Sequence, residues 1–182
     1  ELCSWLALLD LWNQGSIMPT PTYTLIDSTT LSSSASSVTF SGISGTGKGD
    51  LVLSAEVKAS SGTINLSMRL NSDTGSNYNH VLMYGNGSSA ASFASSNRAN
   101  IQIAIGSGTA TNAITTQTFI SDYSATDKHK STISRGNEPS YTSAGAGRWA
   151  NTSAVTSLEV YTTTTDSYAA GSTFNLYQIV SE

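Results

Sequence analysis

The sequence predicts an all-β protein, an antiparallel β-sandwich or jelly roll, preceded by a short N-terminal amphipathic helix. Three observations carry this. Only 11% of the 182 residues are charged, well below the usual quarter, and Ser, Thr, Gly and Asn stand in their place. Thr suits strands, whereas Ser, Gly and Asn suit turns. From Tyr23 onward, apolar residues alternate with polar ones at a period of two, broken at short intervals by turn signals.

Residues 1–15, ELCSWLALLDLWNQG, follow a different rule. Leu2, Trp5, Leu6, Leu9 and Trp12 recur at i, i+3, i+4 spacing, and Gly15 supplies a stop. An isolated helix of this length is marginal, and its Trp and Leu side chains need a surface to cover them. Residues 1–17 are therefore read as an attachment segment and these five residues as an assembly interface. A signal peptide fits less well, since Glu1 opens the chain and no Lys or Arg precedes Lys48. The segment is expected to be the tail of a longer precursor or fusion, or an upstream extension of a domain that can also start at Met18. Pro19 and Pro21 make residues 18–22 an extended linker. The sandwich domain then spans 23–182.

Strands are expected at Tyr23–Ile26 and Val38–Ile43, then over Leu51–Lys58 and Ile64–Leu70, where Ser60-Ser61-Gly62 looks like a hairpin turn. Further strands are expected at His80–Tyr84, Asn100–Ile105, Ile114–Ile120, His129–Ser134, Ser157–Tyr161 and Thr173–Ile179. The Gly-, Ser- and Ala-rich segment 136–154 reads as a long loop or short edge strand.

The stretch Arg69–Ser89 reads as strand, ordered loop, strand and tight turn. Asn71, Asp73 and Asn77 can bond their own backbone, and Gly75 tolerates φ > 0. Its phrase N-x-D-T-G-S-N-Y, followed by G-N-G-S-S, resembles a domain of virion structural and tail-fibre proteins common in tailed phages and marine viral sequences. The resemblance extends over about Thr22 to Val180. It takes in Leu25–Leu31, Ser37–Phe40, Gly147–Leu158 and Ala170–Tyr177. It implies a jelly-roll-like sandwich in a virus particle, with no catalytic motif. The implied role is a capsid decoration subunit or a head or tail appendage. The implied partners are further copies of the chain, a trimer by analogy with viral jelly rolls, and other virion proteins.

Other chemistries are weakly supported. Eight Lys and Arg are scattered, and the net charge is −4, so no basic stripe exists for nucleic acid. No run reaches the roughly 18 apolar residues of a membrane span. Cys3 is the only cysteine, so no internal disulfide is available. Gly42–Gly49 approaches a phosphate-binding loop, but Gly49 replaces the hydroxyl that holds magnesium, and a strand pattern follows. Asn71–Asn77 offers oxygens with one carboxylate, too few for a tight calcium site. No cofactor or metal is called for. His80 and His129 are the only histidines, and no G-x-S-x-G elbow occurs. His80 is expected at a strand start and His129 in solvent. Asp73, Asn77, Tyr78 and Trp149 remain as a candidate ligand or contact surface, with a host glycan as the alternative partner, since aromatics beside amides can stack sugars.

Overall fold

The computed structural model describes residues 22–47 and 49–179. The helical reading of residues 1–17, with Leu2, Trp5, Leu6, Leu9 and Trp12, and most of the 18–22 linker lie outside the described residues, as do Lys48 and residues 180–182.

The described chain is all-β and forms two antiparallel sheets packed as a sandwich. In chain order its strands are β1 (Tyr23–Thr30), β2 (Ser37–Ser41), β3 (Asp50–Val57), β4 (Ile64–Leu70), β5 (Tyr78–Gly85) and β6 (Ala90–Arg98). Then come β7 (Ile101–Gly108), β8 (Ile114–Ile120), β9 (Lys130–Glu138), β10 (Tyr141–Trp149), β11 (Ser157–Tyr161) and β12 (Thr173–Ile179). The larger sheet has the order β1-β12-β3-β8-β9-β10-β5-β6, and the smaller β2-β11-β4-β7. The chain crosses repeatedly between the two, which is the double-sheet jelly-roll arrangement. Strand alternation puts Leu53, Leu66, Met68, Ile114, Leu158 and Phe174 into one shared core, each fully buried.

Three expectations change. Ser60-Ser61-Gly62 is not a hairpin turn, because β3 and β4 lie in different sheets. The turn is held from across the sandwich by Asp166, which accepts from the Ser61 hydroxyl and from Thr63 N (2.9 Å). The strand Ala90–Arg98 was not anticipated; it is an edge strand of small polar residues with little apolar signal. Segment 136–154 is not a loop. It contains β10, a central strand between β9 and β5.

Packing explains why β10 reads so poorly. β7 lies unusually close to the larger sheet, with Cα atoms within 8 Å of those on β9 and β10, against a usual spacing of about 10 Å. Side chains must be small there. A Cβ on Gly136 would lie 2.9 Å from Ala104 Cβ, and one on Gly147 would lie 2.8 Å from Ile101 Cγ2. The pinch is also bonded. Ile105 N donates across the gap to Ser143 Oγ (3.3 Å), whose hydroxyl donates to Gly136 O (3.3 Å).

Gly147→Val should therefore force β7 off the sheet and cost roughly 1–3 kcal/mol, the range for an overpacked core. Thermal unfolding of this variant and of the exposed control Thr142→Val measures it; equal melting temperatures would contradict the pinch.

Candidate functional site

The loop between β4 and β5 carries Asp73 and Asn77, and it has a demanding backbone. Asn71 and Ser72 have φ of 51° and 53°, and Asp73 N donates to Leu70 O (3.0 Å). Positive φ at both central positions is the type I′ geometry, which suits Asn and is costly for Ser. Side-chain bonds compensate. Asn71 Nδ2 donates to Ala154 O (2.8 Å), and Asn71 Oδ1 accepts from Thr156 N (2.8 Å) and Ser157 N (3.1 Å). Asn71 is thereby tied to the segment joining β10 to β11.

Asp73 grips the start of that same segment. Its Oδ2 accepts from Trp149 Nε1 (2.7 Å) and Asn77 Nδ2 (2.8 Å), and its Oδ1 accepts from Gly75 N (2.8 Å). Ala150 N donates to Asn77 O (2.7 Å). The Trp149 indole stacks on Tyr78 at 6.3 Å and 15°, and the Tyr78 hydroxyl is bonded to both N and O of Leu70. Burial opposes ionisation of Asp73, but the bonds from Trp149, Asn77 and Gly75 outweigh it and hold the carboxyl below its ordinary range. The group is an anion committed to internal donors.

The four residues singled out from sequence thus do come together, with Tyr78 and Trp149 in the interior and only Asp73 and Asn77 reaching the surface. Tyr78 is 0% and Trp149 1% exposed. A large aromatic near a loop was read as a platform; instead its ring fills the core and its N–H finds a charged acceptor, as a buried Trp requires. Asp73 and Asn77 are half-buried acceptors and donors within the lock.

A second buried charge stands nearby. Lys130, at the first residue of β9, is 0% exposed, and its Nζ donates to Ala125 O (2.6 Å), Lys128 O (3.1 Å) and Thr152 O (3.2 Å). All three ammonium protons are satisfied by loop carbonyls. Burial lowers its pKa. Sequence reading missed it because Lys128-His129-Lys130 looks like a solvated charge run, and His129 is indeed exposed. Only the alternation of β9 distinguishes Lys130 as inward-facing.

The histidine on β5 is also interior. His80 is 7% exposed, edge-on to Phe93 at 6.1 Å, and its Nδ1 has no partner among the described residues. Burial, then the nearby Arg98 guanidinium, holds its pKa below the ordinary value. Among the described residues no three His, Cys, Asp or Glu side chains cluster as metal ligands. Gly42–Gly47 leads on to β3 rather than into a helix.

A broad depression lies elsewhere, on the outer face of the eight-stranded sheet. It measures about 990 Å³ and is lined by Glu56, Thr115, Gln117, Arg135, Asn137 and Asn175, with the β9–β10 turn as a wall. Several of these groups already bond each other. Arg135 Nε donates to Gln117 Oε1 (3.1 Å), and the Thr115 hydroxyl donates to Asn137 Oδ1.

Comparison with protein-family models, curated proteins and solved structures returned no match.

Replacing Asp73 by Asn should leave the Trp149 N–H facing an amide and cost about 2–3 kcal/mol, since bonds to a charged group carry roughly 1.5–3 kcal/mol. The folded pKa of Asp73 is depressed, so its contribution is present above the unfolded value of about 3.9 and is lost as pH falls through the folded value. Wild type and variant should therefore converge in acid. Denaturant titrations at pH 7 and below pH 3 measure this; a gap independent of pH would contradict it.

Proposed function

We propose that the chain is a non-enzymatic structural subunit of a virus particle, a capsid decoration subunit or a component of a head or tail appendage. It acts through protein–protein assembly with further copies of itself and with other virion proteins. One observation carries this reading. Two of the phrases that carry the resemblance, Asn71–Tyr78 and Gly147–Leu158, meet in space and lock one end of the sandwich. The similarity therefore falls on residues that specify a particular jelly-roll corner, not on scattered low-complexity sequence. The buried or internally bonded state of Asp73, Lys130 and His80 also speaks for construction over catalysis.

The depression on the larger sheet supports a second reading, binding of a host glycan. Its hydroxyl and amide groups, beside Glu56 and Arg135 and with Tyr141 at the wall, offer the mixed donors and acceptors that polyhydroxylated ligands match.

Antibody labelling of purified particles, imaged by negative stain, tests the first reading. Label at regular positions on intact particles is the expected result, and its absence from them would overturn the proposal. A glycan array run with the full chain separates the second reading, which requires saturable binding that weakens at least tenfold in Asn137→Ala.

A further inference from the structure

The outer face of the larger sheet has an apolar row that its solvent position does not require. Strand register aligns Leu25 of β1 with Tyr177, then Val52, Phe119 and Ile133 on β12, β3, β8 and β9. Ala146 and Val81 continue the line across β10 and β5. Ile133 is 65% exposed, and Leu25 and Val81 are 52% and 41% exposed; Tyr177 and Phe119 are half-buried, and Val52 is buried between them. Among the described residues every exposed large hydrophobic lies on β1, β5 or β9 of this one sheet. An apolar row that runs across the sheet and is exposed over much of its length is informative where a scattered exposed Leu is not.

The rows on either side are mostly polar. One holds Asn175, Ser54, Gln117 and Arg135 before ending at Ala144 and Met83; the other holds Asp50, Ser131, Arg148 and Asn79. An apolar centre between polar margins is the anatomy of a protein interface.

We propose that this face is the contact surface for a second copy of the chain, packed sheet on sheet about a two-fold axis. This rests on the structural-subunit reading and names the surface through which the subunit associates. Size fits. The eight strands at roughly 4.8 Å spacing span about 34 Å, and three rows about 7 Å apart cover about 20 Å. The resulting face of about 700 Å² is close to the roughly 800 Å² per partner of a stable interface. Charge fits as well. The three rows carry two bases, Arg135 and Arg148, and one acid, Asp50, a net of only +1 that repels a second copy little. A straight row crossing the whole face is self-complementary, because a two-fold rotation lays row on row. The association is then two-fold, where the analogy with viral jelly rolls gives a trimer.

Sedimentation velocity of the full chain at micromolar concentration tests this, with Ile133→Lys and Val81→Lys as variants. Both positions are exposed, so melting temperatures should hold. The expected result is a dimer, weakened at least tenfold by either substitution. A monomeric wild type would overturn the proposal, since residues 1–21 or a different protein would then cover the row. A trimer would overturn it too, as would a dimer indifferent to both substitutions. Should Ile133→Lys unfold, Val81→Lys decides alone. A dimer whose label is absent from particles sinks the virion reading and leaves this contact standing; a monomer found on particles does the reverse.

Discussion

One carboxylate holds the corner on which the sandwich depends. The chain crosses from the smaller to the larger sheet between β4 and β5 and from the larger to the smaller between β10 and β11, and these two crossings lie at the same end. Without a tie, two adjacent crossings would separate as easily as any surface loops. Asp73 supplies the tie with three donors, one of them the indole N–H of a fully buried Trp149. Bonds to an anion contribute more than neutral ones, and the cost of leaving that indole unpaired in the core is of similar size. Asn71 fixes the far end of the same crossing with three backbone contacts. That bonding accounts for a non-glycine residue being kept at φ 51°.

The low charge of the sequence follows from this construction. The end of the sandwich is built from loops whose backbone groups need partners, and amides, hydroxyls and one buried ammonium provide them. Lys130 saturates three carbonyls from two loops, and Val155 N donates to Tyr123 O (2.8 Å) beside it. Arg69 does similar work on the smaller sheet, paired with Glu159 at 2.9 Å and lying 4.5 Å from the Tyr161 ring centroid. The pinch under β7 uses the opposite means. There the absence of side chains at Gly136 and Gly147 lets a hydroxyl, Ser143, reach a backbone across the core.

The sandwich class was legible because β8, β11 and β12 bury alternate residues, and β3 and β4 do so apart from Val52 and Ser67. β10 was not. Its Ala144-Gly145-Ala146-Gly147 run has the composition of a turn, and only the close approach of β7 explains it. Pairing partners were not legible either, which is why β3 and β4 read as a hairpin. For the site, the sequence pointed to four residues that do meet, but not to the burial of Tyr78 and Trp149. Asp73, Asn77, Tyr78 and Trp149 form one cluster, yet burial, which decides between platform and core, depends on long-range packing. Lys130 shows the same limit, since its neighbours in sequence are exposed and its partners lie up to 22 residues away.

Two stretches far apart in the chain, Asn71–Tyr78 and Trp149–Ala150, are the two halves of the lock. The coupling between those halves is what keeps the corner closed. A double-mutant cycle of Asp73→Ala and Trp149→Phe, read by denaturant unfolding at pH 7, measures it directly. The account predicts a coupling of at least about 1.5 kcal/mol, the lower bound for a bond to a charged group. Effects that add to within about 0.5 kcal/mol, as for independent sites, would contradict it.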